Sequence, residues 1–139
     1  MKMGKAIKFG TISVICAIFL TGCVPNIGGG GAAPVVDEYQ KGAIVTGFPA
    51  LPYYENAKVI ESYGDEVNFG ATLVTDDELA KVVNFYQDAL ETQGWDVSVS
   101  GAGTNFEFDI KNADKTGSII INTAADNRRT AITVAISPR

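Results

Sequence analysis

The chain has 139 residues, 46% of them hydrophobic and 19% charged, with 16 acidic residues against 11 basic ones and no histidine. That length fits a single domain, and the hydrophobic share excludes disordered, collagen-like and low-complexity classes for the chain as a whole. Lys2, Lys5 and Lys8 are the only charges before Asp37, so the remainder carries 8 basic and 16 acidic residues, a net charge of −8; this acidic balance lacks the basic footprint of nucleic-acid binding, and the absence of histidine excludes histidine catalysis and histidine-ligated metals.

The first elements form an export address. A basic stretch, Met1 to Lys8, precedes the apolar run TISVICAIFL from Thr11, and Thr21-Gly22-Cys23 follows. This is the layout of a secretory signal peptide. The run falls short of the roughly 20 apolar residues that a permanent membrane helix needs. Leu20-Thr21-Gly22-Cys23 resembles the lipobox of bacterial lipoproteins, in which a small residue precedes a cysteine that takes a diacylglycerol thioether. The resemblance implies that residues 1–22 are removed and that Cys23 becomes the first mature residue, carrying the lipid. It also implies a chain anchored to the membrane on the exported side of the cell envelope. Each buried methylene contributes roughly 0.8 kcal/mol, so two acyl chains anchor stably where one does not. Cys16, the only other cysteine, lies in the segment that would be removed. No intramolecular disulfide is then available, and the domain must rely on its own core.

Residues 23–52 read as a tether, with Gly28 to Gly31 and Ala32-Ala33-Pro34 at its centre. Whether 39–52 adds a further strand to the domain stays open at this level. The domain proper is expected over 53–139. Ala57 to Tyr63 has a strand pattern, Gly64-Asp65 suits a tight hairpin turn, and Glu66 to Thr75 continues as a second strand, with a bulge or bend expected at Gly70. Thr75-Asp76-Asp77-Glu78 fits a capping box. Leu79, Val82, Val83, Tyr86, Ala89 and Leu90 then form one apolar stripe of a helix of about 17 residues that Gly94 is suited to end.

Past Gly94 the period changes to alternation. Trp95, Val97 and Val99 share a face, as do Phe106, Phe108 and Ile110, then Ile119 and Ile121, then Ile132, Val134 and Ile136. Turn-rich segments at Gly101 to Gly103, Asn112 to Gly117 and Ala125 to Arg128 make a four-strand antiparallel meander the simplest connection. The expected fold is α+β in the order β-β-α-β-β-β-β, one long helix packed on a curved, mainly antiparallel sheet. This element order is similar to helix-grip architectures among small envelope domains.

The alternation suggests a register in which Val97 pairs with Phe106, Phe108 with Ile121, and Ile121 with Ile132. Asp96 then lies opposite Glu107 on the outer face, with Asn122 beside it and Asp109 further along. Such a cluster suits a divalent cation, an acid/base pair for glycan hydrolysis, or a solvated acidic face, the last being the ordinary outcome. Asn112 to Gly117 faintly echoes a calcium loop, but Thr123 stands where its glutamate belongs. Tyr53 and Tyr54 are suited either to a partner-binding platform or to covering the core edge. Trp95 is accounted for by core packing. Arg128 and Arg129 offer contacts to a partner's carboxylate or phosphate, or to Asp126.

No nucleophile motif and no strand-to-helix phosphate loop is present in the sequence. The expectation is an envelope lipoprotein with a non-enzymatic binding or accessory domain, no cofactor beyond the lipid on Cys23, and an envelope protein or glycan as partner. The alternatives are a carrier holding a small apolar ligand between helix and sheet, near Leu79, Val83, Trp95 and Phe108, and, last, a hydrolase using Asp96, Glu107 or Asp109.

Overall fold

The computed structural model describes residues 38–139. The lipobox and Cys23 lie outside them. Among the described residues, seven strands and one helix follow one another as β1 (Glu38–Lys41), β2 (Lys58–Gly64), β3 (Phe69–Thr75), α1 (Leu79–Thr92), β4 (Asp96–Ala102), β5 (Asn105–Lys111), β6 (Lys115–Thr123) and β7 (Thr130–Pro138). All strand pairs are antiparallel, in the spatial order β1-β2-β3-β7-β6-β5-β4. The α+β class and the four-strand meander agree with the sequence reading.

The element order differs by one strand, because β1 precedes the first predicted hairpin. β1 pairs with β2 from Glu38 opposite Gly64 to Lys41 opposite Glu61. The chain after it is also tied down: the buried Ser62 hydroxyl accepts from the Val45 N–H and donates to the Ala43 carbonyl, both at 2.8 Å. Val45, Leu51 and Tyr54 join the core. The segment from residue 38 onward is therefore part of the domain, contrary to the expectation of a tether running through residue 52. Composition hid this, since glycine and proline in the stretch mark turns of a packed loop as readily as a free coil.

The helix has 14 residues rather than 17, about 21 Å of rise. Its start is the correction. Thr75 does not cap it; Thr75 is held in the sheet opposite Thr130, and its hydroxyl accepts from the Asp77 N–H at 3.2 Å. Glu78 stands at the N-cap with no side-chain bond. The end follows the sequence expectation: Gly94 adopts φ +82°, its N–H bonds the Glu91 carbonyl, and the Trp95 N–H bonds Leu90, the paired closure of a Schellman motif.

The hairpins bring further changes. β3 begins at Phe69 rather than Glu66, because the Asp65 carboxylate accepts from the N–H groups of Val67 and Asn68 and from the Asn68 side-chain amide, building a wider turn. The irregularity expected at Gly70 lies instead in β2, between Val59 and Glu61. Gly70 has a different role: a Cβ there would fall 2.2 Å from Cζ of Tyr63, so the tyrosine ring lies flat against bare backbone.

One apolar layer fills the space between helix and sheet. Val82, Tyr86 and Leu90 of α1 meet Phe108, Ile110, Ile119, Ile121 and Ile132 of the sheet, all at most 1% exposed. Trp95 is buried beside them. Phe108→Ala removes a ring from this layer and is expected to lower unfolding free energy by about 3–5 kcal/mol, measured by urea denaturation; a loss under about 1 kcal/mol contradicts the central placement of the ring.

Candidate functional site

The register of β4 against β5 decides the fate of the acidic cluster. Val97 pairs with Ile110, Val99 with Phe108 and Gly101 with Phe106, so this hairpin is shifted by four residues from the sequence expectation. β5 against β6 is shifted by two, with Phe106 opposite Ile121 and Phe108 opposite Ile119, whereas Ile121 opposite Ile132 agrees. The cause is the tight turn at Gly103-Thr104, with Ala102 opposite Asn105 and Gly103 at φ +67°. Strand continues through Gly101 and Ala102, which the sequence reading assigned to the loop.

Asp96 consequently faces Lys111, not Glu107. Glu107 lies between Ser100 and Ile120, and Asn122 faces Asn105. Four residues of strand, roughly 13 Å, separate the Asp96 level from the Glu107 level. The proposed cation and acid/base cluster is therefore not assembled. Among the described residues no group of three acidic or cysteine ligands is placed to hold a metal. The Asn112 loop is an ordinary turn, in which the Asn112 side-chain oxygen accepts from the N–H groups of Asp114 and Lys115.

Tyr53 and Tyr54 do not form a shared platform. Tyr54 is buried, edge-on to Phe85 at 5.2 Å, while Tyr53 stays partly exposed beside Phe48. Arg129 is occupied by Asp126, Nε to Oδ2 at 2.6 Å, and the same carboxylate accepts from the backbone N–H groups of Arg128 and Arg129. These bonds hold the Asp126 carboxyl at about 2.

Sequence reasoning missed two features. The first is a polar staple around Asp77. Its carboxylate accepts from the Tyr54 hydroxyl at 2.7 Å and the Asn56 amide at 2.9 Å, and pairs with Lys81 at 3.1 Å. Its backbone carbonyl accepts from the Thr130 hydroxyl at 2.8 Å. The staple joins the approach to β2, the start of α1 and the start of β7. Partners more than 20 residues away left no local signal in the sequence.

The second is a trough on the face of the sheet turned away from α1. Two adjoining grooves of about 400 and 380 Å³ share Asp109, Thr116 and Gly117. One reaches Asp96, Ser98 and Lys111; the other reaches Glu107, Ser118, Asn68 and Tyr63. Period-two alternation places these polar residues on one face. Tyr63 closes the far end, 54% exposed, one ring face on Gly70 and the other open. Tyr39 lies opposite Tyr63 on β1 and donates its hydroxyl to Glu61 at 2.9 Å. The space between helix and sheet presents the contrasting picture: Val83, Trp95 and Phe108 are at most 8% exposed, and none of the three lines either groove.

Residues 55–139 match a family model described as START domain-like. No curated protein and no solved structure matches the chain.

The Asp77 staple carries a pH signature. Hydrogen bonds from Tyr54, Asn56 and Lys81 lower its carboxyl from the ordinary 3.8 to about 2. A carboxyl lowered by folding adds stability that is complete above the ordinary value and is lost as the pH falls through the folded one. Stability is therefore expected to drop between pH 4 and pH 2, and Asp77→Asn to flatten part of that drop while weakening the fold at neutral pH. Denaturation midpoints across this range check it; parallel curves for the two proteins contradict the assignment.

Proposed function

Because the chain belongs to the START domain-like family, we propose that it is a non-catalytic binding domain, carried at the cell envelope by a lipid on Cys23, that takes a polar, hydroxyl-rich ligand in the trough of the outer sheet face. The observation that carries this reading is where space remains. The helix-to-sheet layer is filled by Tyr86, Phe108 and Ile119, whereas the trough offers carboxylates, hydroxyls and an amide in a row that ends at an open tyrosine ring. Glycans present hydroxyls that donate to Asp109 and Glu107, and they present apolar ring faces suited to Tyr63. An envelope polysaccharide is thus the ligand class that suits these residues.

Family membership also supports the carrier reading, in which a small apolar ligand enters between helix and sheet. That ligand has to displace close-packed side chains, and the displacement opposes binding. The two readings separate experimentally: an apolar fluorescent probe bound by the native chain, with Tyr63→Ala without effect, favours the carrier. The hydrolase reading loses its support with the acidic cluster.

Two outcomes are expected. Cys23→Ser in the full chain abolishes incorporation of labelled palmitate and moves the protein out of the membrane fraction; unchanged membrane retention contradicts the lipid anchor. In affinity electrophoresis against soluble envelope polysaccharide, Tyr63→Ala weakens retardation about tenfold, equivalent to ~1.4 kcal/mol, and Tyr53→Ala leaves it unchanged. Equal retardation of all three proteins, or none, removes the trough as the binding site.

A further inference from the structure

Among the described residues the sheet has two open edges, and they are built differently. β1 has four residues, of which Glu38 and Lys41 are charged, and the Tyr39 hydroxyl is bonded to Glu61 on the neighbouring strand. Short length and charge are the ordinary protections of an edge. β4 lacks them. Its seven residues, DVSVSGA, contain no proline, lysine or arginine, and its single charge, Asp96, stands at one end. Ser98 to Ala102 are all exposed, and Val99, on the face shared with α1, leaves 43% of its surface in water.

The hairpin geometry states which backbone groups are free. Ala102 and Asn105 flank a two-residue turn and form a hydrogen-bonded pair, so bonding to β5 alternates from Ala102 to Ser100 and Ser98. The N–H and C=O groups of Val97 and Val99 therefore point away from β5, toward the open edge.

We propose that β4 pairs antiparallel with β4 of a second copy of the chain about a two-fold axis at Ser98, joining the two sheets into one. This arrangement puts Val97 opposite the partner's Val99, with roughly four backbone hydrogen bonds across the axis. Valine meets valine on the helix face and serine meets serine on the outer face. Asp96 meets the partner's Ser100, while the two Asp96 carboxylates lie at opposite ends of the seam. A parallel pairing brings those carboxylates side by side and is unfavourable. The strand is thus complementary to itself in face, charge and bonding, which is the requirement of an isologous two-fold interface. The proposal is independent of what the trough binds.

Site-specific crosslinking of the full chain in membranes tests it. In the dimer the two residues at position 98 form a non-hydrogen-bonded pair with Cα atoms about 4.5 Å apart, within the range that disulfides span. The two residues at position 100 are separated by roughly 13 Å. Ser98→Cys is therefore expected to give an oxidant-dependent dimer, and Ser100→Cys to give no more than the wild-type chain with its own cysteines. Adding Val99→Pro, which removes an outward N–H without touching the bonds to β5, is expected to abolish the Ser98→Cys dimer. Val99→Lys supplies the same block without altering the backbone. No dimer from Ser98→Cys, equal dimer from both cysteine positions, or a dimer that survives both Val99 substitutions overturns the proposal.

Discussion

The structure depends on one requirement: the chain has to leave β3 in the middle of the sheet and reappear at the far edge as β4, while the apolar stripe of the intervening helix stays out of water. β7, β6 and β5 fill the interval, and four strand spacings amount to roughly 19 Å. A helix of 14 residues rises about 21 Å. Its length thus matches the width that it has to cover, and Val82, Tyr86 and Leu90 bury against the strands it crosses. The Schellman closure at Gly94 then turns the chain sharply, so that Trp95 enters the core and β4 begins at once.

The start of that crossing needs a different device. Asp76, Asp77 and Glu78 precede the helix, and none of these carboxylates caps it. Asp77 instead gathers Tyr54, Asn56 and Lys81, and its carbonyl takes the Thr130 hydroxyl. The bonds anchor the exit from β3 to segments remote in sequence. They also explain why Tyr54 is buried while its neighbour Tyr53 is not: one hydroxyl has a carboxylate waiting for it inside the domain edge.

Filling one side of the sheet leaves the other side and one edge for contact. The outer face carries the polar trough and the tyrosine seated on Gly70; the β4 edge carries exposed backbone with a self-complementary side-chain pattern. Neither place requires a core side chain to move, since the close-packed layer of Tyr86, Phe108 and Ile119 lies apart from both.

The sequence by itself determined which residues face the core. Alternation in β4 to β7 and the three- and four-residue spacing of α1 place Val82, Tyr86, Leu90, Phe108, Ile121 and Ile132 inside, and the structure keeps every one there. It also determined the helix end, through a glycine in the left-handed region. Register escaped it, because a slip of two or four residues keeps every side chain on its own face, and periodicity is blind to such a slip. Only the two-residue turn at Gly103-Thr104, closed in three dimensions, decided that Asp96 meets Lys111 rather than Glu107. The start of α1 and the docking of residues 38–54 were likewise decided by tertiary contacts, through Asp77 and Ser62, whose partners other than Lys81 lie 17 to 53 residues away along the chain. A local pattern carries no record of such distant hydrogen bonds, since each forms only once the folded sheet has brought its two ends together.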